Sequence, residues 1–357
     1  MKTKIFKDTI EDIEAAGRIL ASGGLVAFPT ETVYGLGANA LDGEAVSKVY
    51  RAKGRPSDNP MIVHISDIDD LHVVARVSED KLQKKAIENI YKAAEAFWPG
   101  PLTMVLPKSD RVPEVTTGGL DTVAVRFPSN PTACLLIEKA GCPIAAPSAN
   151  LSGKPSPTTA LHTLDDMDGR IEGLIWGDDC EVGIESTVVD MRDSTPVILR
   201  PGKITVKDLE RALGVKVRLH YTLEESIGTM GNGEPSHKSY KESREEDIVP
   251  ISPGMKYKHY APEADMTVFL GSRDEALKMA EIEANRLKAI GHKVQILIFD
   301  NPETAAHDLF RKLREADKAG CDDILAVGVE EQDKDGGIAF SVMNRMLKSA
   351  GHNIRKV

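Results

Sequence analysis

"LVAFPTETVYGLGANALDGEAVSKVYRAKGRPSDNPMIVHI", residues 25–65, can be read in two ways, and the choice decides the fold. Gly35-Leu36-Gly37-Ala38-Asn39-Ala40 satisfies G-x-G-x-x-A, the pattern in which glycines join a strand directly to a helix around a dinucleotide. Here the apolar run 25–30 ends at Pro29 and Thr30. Polar residues then precede Gly35, and the next helical pattern begins only after Asp42. The dinucleotide reading is therefore set aside. The segment reads as a strand (25–30), a polar turn presenting Thr30, Thr32 and Tyr34 to a cleft, and a helix over 43–53. Asp42 caps that helix, and Gly54 with the Arg55-Pro56 pair stops it. A loop and a strand (61–65) follow. A threonine-rich turn around a buried tyrosine remains the alternative for residues 30–34.

Working outward, short β-like runs alternate with amphipathic helical runs as far as residue 215. Further strands are expected at 102–107, 122–127, 143–148, 186–191 and 196–201, and helices at 10–22, 79–97, 130–140 and 205–213. Residues 222–250 lose apolar periodicity and read as a linker. From 266 onward, strands at 266–270, 294–299 and 323–329 alternate with helices at 274–290, 303–319 and 337–350. That βαβαβα rhythm implies a small parallel sheet, Rossmann-like in rhythm. The chain is α/β throughout.

The 357 residues suit two domains and can bury roughly three quarters of their unfolded surface without staples. A net charge of -10 argues against broad adhesion to nucleic acid or anionic membranes. Cys134, Cys142, Cys180 and Cys321 form no C-x-x-C pair, which points to reduced thiols in a cytoplasmic protein. The charged N-terminus does not read as a signal peptide, and no apolar run reaches membrane-spanning length.

Against that acidity, Lys48, Arg51, Lys53 and Arg55 crowd the end of the 43–53 helix. Lys48 and Arg51 read as a solvated face complementing the helix dipole. Lys53 and Arg55 are expected to project together from a rigid loop beside Ser57, Asp58 and Asn59, a setting suited to a phosphate or carboxylate. Ser148, Asn150, Ser152 and Ser156 follow an apolar strand, and Ser186, Thr187, Arg200 and Lys203 also sit at strand ends, where α/β proteins bind ligands. No P-loop, H-E-x-x-H, G-x-S-x-G or metal-ligand cluster is present. His64 lies inside an apolar strand, where a lone histidine is more often structural.

In their order, "PTETVYGLG", "KGRPSDNP", "VHI", "TVAVRFP", "APSANLSGKPSPT", "GIESTVVD", "LRPG" and "SPGMKYKHYAP" resemble the threonylcarbamoyl-AMP synthase family. The resemblance is to its two-domain form, and Lys53-Gly54-Arg55 with Ser148-Ala149-Asn150 matches the K-x-R…S-x-N pattern of YrdC-like domains. It implies a YrdC-like catalytic domain (1–215) with a twisted mixed sheet around an open cleft. A linker or lid (216–262) and a small Rossmann-like domain (263–357) follow. The implied reaction converts L-threonine, bicarbonate and ATP into L-threonylcarbamoyladenylate and pyrophosphate, for modification of an adenosine in tRNA by separate proteins. By motif, Arg55, Asn59, Thr122, Ser148, Ser156 and Arg200 would contact ATP. Thr32, His64, Arg126, Ala146 and Ser186 would contact threonine. Lys53 and Arg55 would carry charge at the phosphates, and Tyr257, His259 and Tyr260 would belong to the lid. Mg²⁺ would arrive with ATP and have no dedicated protein ligands. Partners beyond the substrates would be a transient hand-over to the tRNA-modifying machinery, with no stable nucleic-acid or membrane binding. An RNA-binding YrdC-like module and a carbamoyltransferase are the alternatives.

Overall fold

In the computed structural model, residues 2–223, 259–329 and 337–357 are described. Most of the expected linker, including Tyr257, lies outside them.

The helix of the opening stretch forms at the expected residues, Gly43–Lys53. The Asp42 carboxylate accepts from the backbone N–H groups of Glu44 and Ala45 at 2.9 and 3.2 Å, satisfying donors that the first turn leaves orphaned. Gly54 takes φ 63°, and its N–H closes back on the carbonyls of Tyr50 and Arg51. Lys48 is not a free surface cation: its ammonium donates to the Gly23 carbonyl at 2.6 Å.

The turn before this helix needs correction. Residues Gly35–Asn39 form a strand, antiparallel to Val26–Phe28 on one side and to Ile144–Ala145 on the other. The glycines are there for packing. A Cβ on Gly37 would lie 2.9 Å from both the Phe28 ring and Ile144, and one on Gly35 would lie 3.3 Å from Phe28 and Ala146. Tyr34 does not face the cleft. It is fully buried, and its hydroxyl donates to the carbonyls of Gly177 and Asp178. Gly37→Ala is accordingly expected to destabilise the protein by about 1–3 kcal/mol through overpacking. A urea midpoint equal to wild type would contradict this.

The N-terminal sheet has eleven strands. They are β1 (Lys4–Lys7), β2 (Val26–Phe28), β3 (Gly35–Asn39), β4 (Ile62–His64), β5 (Leu102–Pro107), β6 (Thr122–Arg126), β7 (Ile144–Ala145), β8 (Gly173–Trp176), β9 (Thr187–Asp190), β10 (Val197–Arg200) and β11 (Arg218–Leu219). Their order is β1-β8-β2-β3-β7-β4-β6-β5-β9-β10-β11, and the pairings are mixed. β7 keeps only two of the six residues expected at 143–148, because prolines at 143 and 147 remove ladder donors. β11 pairs with β10 beyond the expected domain end at 215, and Leu223 is still buried in the same core. The expected 79–97 helix begins at Lys84. β4 and β6 run parallel, with His64 opposite Arg126 at their carboxyl ends.

The C-terminal strands β12 (Asp265–Leu270), β13 (Val294–Leu297), β14 (Asp323–Val327) and β15 (Ile354–Lys356) pair only in parallel, in the order β13-β14-β12-β15. Helices Arg273–Ala289, Pro302–Lys318 and Ile338–Ser349 connect them. This sheet does not keep its core to itself. Val33, Val182 and Ile184 of the N-terminal domain pack in one buried cluster with Tyr260, Leu309 and Phe310. Arg314 ties the two halves further, donating to the Pro155 carbonyl at 3.1 and 2.6 Å and pairing with Asp166 at 2.7 Å.

Candidate active site

A cavity opens at the carboxyl ends of β4 and β6, and its two ends differ in chemistry. One end is built on the threonine turn. The Thr30 hydroxyl donates to the Val33 carbonyl at 2.7 Å and accepts from the N–H groups of Thr32 and Val33, which fixes the chain as it leaves β2. Thr32 then accepts from Arg126 Nη1 at 2.9 Å, and Glu31 pairs with Arg126 Nη2 at 2.7 Å. The Glu31–Arg126 contact is an ion pair without hydrogen-bond alignment, and both side chains are almost wholly buried. Arg126 Nε has no hydrogen-bond partner among the described residues. His64, Ala146 and Ser186 complete this end, with the Ser186 hydroxyl 2.7 Å from that of Thr103.

The other end is cationic. Lys53, Arg55 and Arg200 reach it from the end of the 43–53 helix, the following loop and β10, facing Ser148, Asn150, Ser152 and Gly153. Lys53 departs from expectation here. It does not project from the loop with Arg55. As the last helical residue, it turns inward and is 2% exposed. Its ammonium donates to the carbonyls of Ser148 and Asn150, and Ser152 N–H donates to the Lys53 carbonyl at 2.9 Å. The charge therefore fastens the 148–152 loop as well as lining the cavity. Arg55 donates to the Pro60 carbonyl at 3.0 Å, and its Nε has no partner among the described residues. Arg200 hangs on Ser186, donating from Nε to the carbonyl at 3.0 Å and from Nη2 to the hydroxyl at 3.1 Å.

Three residues expected at ATP lie off the lining. Ser156 is buried and spends its hydroxyl on Glu185 at 2.6 Å. Asn59 is buried behind Arg55, which approaches its carbonyl at 3.4 Å. Thr122 begins β6 opposite Pro107, so the strand carries it roughly 13 Å from Arg126, away from the cavity end. His259 and Tyr260 do line the cavity. Tyr260 holds φ 65°, a left-handed backbone uncommon for a bulky residue, and Ala261 N–H after it donates to the Gly153 carbonyl at 2.8 Å.

Sequence reasoning quoted Glu31 and Glu185 without giving them work, and missed Arg345. Glu185 lines the cavity while accepting from Ser156 and from Arg345, which is fully buried on the C-terminal helix Ile338–Ser349. The available signal was a lone arginine inside the apolar run "IAFSVMNRM".

The electrostatics favour an anion. Burial, followed by nearby cations, lowers the pKa of Lys53, of Arg55 to about 10, and of Arg200. Burial and then Arg126 push His64 down to about 3, and burial and then Arg55 do the same to His259. Both rings are therefore neutral donors and acceptors at neutral pH. In the unfolded chain His64 takes up a proton below about 6.5, whereas the folded ring refuses it until about 3. Stability should therefore be full above the unfolded value and fall with acidification, by up to about 1.4 kcal/mol per pH unit for this one group. Urea titrations at pH 7, 6 and 5 should show a shallower loss in His64→Gln than in wild type. Identical slopes would remove His64 as the cause.

Comparison with known proteins places this arrangement. The family model described as telomere recombination matches residues 18–202, and the one described as threonylcarbamoyl-AMP synthase, C-terminal domain, matches 204–351. A threonylcarbamoyl-AMP synthase of Pyrococcus abyssi is 44% identical, with 98% of each chain covered, and one of Bacillus subtilis is 39% identical, with 99% of each covered. The crystal structure of P. abyssi Sua5 complexed with L-threonine superposes with a TM-score of 0.85 at 42% identity over the full length of both chains. With both domain models matched in order and the full-length relatives covered end to end, this chain belongs to the threonylcarbamoyl-AMP synthase family, in its two-domain form.

Proposed function

We propose that this chain synthesises L-threonylcarbamoyladenylate from L-threonine, bicarbonate and ATP, releasing pyrophosphate, as a step toward threonylcarbamoyl modification of adenosine in tRNA. The observation that carries the reading is that one cavity is lined both by an arginine half-neutralised by Glu31 and by the cations Lys53, Arg55 and Arg200, with Glu185 as the one further acid among them. The free Nε of Arg126, beside neutral His64 and Ser186, suits the threonine carboxylate without repelling its amine. Arg55, with its own unused Nε, and Arg200 and Ser148 suit the ATP phosphates.

Threonine's amine first captures bicarbonate as a carbamate. A carbamate oxygen then attacks the α-phosphorus of ATP, the bond to the bridging oxygen breaks, and pyrophosphate leaves with the electron pair. Three anions meet, so positioning and charge neutralisation matter more than a strong base. His259 and Tyr260, lying against the cationic end, would exclude water from the labile carbamate and the mixed anhydride.

Mg²⁺ is proposed to travel on the triphosphate. Glu31 and Glu185, the acids beside the cavity, are each engaged by an arginine, and among the described residues no group of three or more metal-ligating side chains exists. The ion would then be held by the phosphates. A cytoplasmic site of action, with transient hand-over of the product to the tRNA-modifying machinery, goes with the free cysteines and the absence, among the described residues, of any helix long and apolar enough to cross a membrane.

The test is pyrophosphate release from ATP and Mg²⁺ with L-threonine and bicarbonate supplied together, singly and not at all, with chromatography of the adenylate. Release that needs both and yields the adduct is expected. Turnover indifferent to threonine would refute the reading.

A further inference from the structure

Helix Ile338–Ser349 of the C-terminal domain carries Arg345, whose side chain has no solvent exposure. Apart from a bond within its own helix, its contacts among the described residues flank Arg200. Nε donates to Glu185 Oε2 at 3.2 Å and Nη2 to the Glu185 carbonyl at 3.4 Å, while Nη1 donates to the Pro201 carbonyl and, at 3.3 Å, to Ser341. Glu185 immediately precedes Ser186, on which Arg200 hangs, and Pro201 immediately follows Arg200. Ser341, one turn earlier on the helix, adds a hydroxyl bond to the Gly202 carbonyl at 2.9 Å. One guanidinium from the second domain thus grips both flanks of a cavity cation without lining the cavity itself.

We propose that Arg345 is a positioning residue for the nucleotide end of the site, holding Glu185 as an occupied carboxylate so that Arg200 stays free to meet the triphosphate. This inference rests on the reading of that end as the ATP site. Glu185 lies between competing cations: Arg345 and Lys348 on the helix and Arg200 on β10, with the Tyr260 and Ser156 hydroxyls alongside. Burial by itself raises the Glu185 pKa. Arg345 first, then Arg200 and the Ser156 hydroxyl, more than reverse that and leave it below the ordinary carboxylate value. Without Arg345, the buried carboxylate has two ways to be satisfied. At higher pH it ionises and draws Arg200 back toward itself and away from the phosphates. At lower pH it takes a proton and lets Arg200 go.

That gives a signature which loose domain docking lacks. In the full chain, binding of a non-hydrolysable ATP analogue is measured by calorimetry at pH 6, 7 and 8. Arg345→Met is expected to weaken binding about tenfold or more at pH 8, with the deficit shrinking toward pH 6. Adding Glu185→Gln to Arg345→Met removes the charge that captures Arg200. The double variant should follow the wild-type pH profile and recover most of the loss. Should Arg345→Met fail to fold, Arg345→Lys keeps a charge on Glu185 but loses the planar fork, and its binding should be mildly weaker than wild type by a factor nearly constant with pH. A deficit that is equal at all three pH values and untouched by Glu185→Gln would overturn the proposal in favour of docking alone, as would wild-type affinity in Arg345→Met. A wild-type protein that binds no analogue would instead overturn the nucleotide reading on which the proposal stands.

Discussion

Arg126→Ala should nearly abolish threonine-dependent turnover and, in the same protein, sharply lower stability. The side chain is 4% exposed, donates one hydrogen bond to Thr32 and pairs as an ion with Glu31, while its Nε has no partner among the described residues. Removing it strands the Glu31 carboxylate in a buried site, a loss on the order of 3–5 kcal/mol. The ligand contact is a separate term, about 1.5–3 kcal/mol for a charge-assisted hydrogen bond, or roughly 10- to 150-fold in affinity. A double variant separates the two. Arg126→Met with Glu31→Gln should recover most of the unfolding free energy, since no unpaired charge remains, yet keep the raised KM for threonine. If the double variant regained threonine affinity as well, Arg126 would be scaffolding only.

Lys53→Met is expected to be comparably severe, for a different reason. The substitution nearly conserves volume but removes every donor that the ammonium gives to the carbonyls of Ser148 and Asn150. Two buried acceptors left unmet cost about 1–3 kcal/mol each, and the loop bearing Ser148, Asn150 and Ser152 loses its anchor to the 43–53 helix. Urea unfolding and pyrophosphate release should therefore both suffer, and threonine and ATP kinetics should decline together. An outcome in which stability is unchanged and only the KM for ATP rises would return Lys53 to the role suggested by its charge alone, that of a cation at the phosphates. Lys53→Arg is a poor rescue, because a planar fork cannot converge on two carbonyls as a compact ammonium does.

What could be read beforehand follows physical range. The 43–53 helix was legible to the residue because its start and stop are local: Asp42 caps it and Gly54 ends it. The three C-terminal helices and strands β12 to β14 were legible from periodicity, but β15 was not, because "IRK" carries one apolar residue and is held by its neighbour β12. Gly35 and Gly37 misled for the opposite reason. Their purpose is the approach of Phe28 and Ile144, a tertiary fact, and so a strand read as a turn. In the site, residues expected at a ligand from fixed motifs could be named: Thr32, His64, Arg126, Ser186 and Arg200 all converge on one cavity. Residues that act by satisfying another buried group could not, since Glu31, Glu185 and Arg345 acquire their roles only when distant segments meet. Thr122 and Ser156 show the converse: the motifs name them, and the fold sets both off the cavity lining. A motif conveys that a residue matters, and the fold decides whether it faces inward to ligand or backward to support.

Val33 and Ile184 sit in the C-terminal domain's core while their chain neighbours Thr32, Glu185 and Ser186 shape the cavity. The seam between domains is thus continuous with the reaction chamber, and the oily residues filling it act as shims. A methyl group added or removed at Leu309 or Phe310, whose helix gives no residue to the cavity lining, would tilt the segments that carry Thr32 and Ser186. Sequence drift in one half must then be answered in the other. A chimera joining halves from two distant relatives would inherit both sets of motifs and still misalign them.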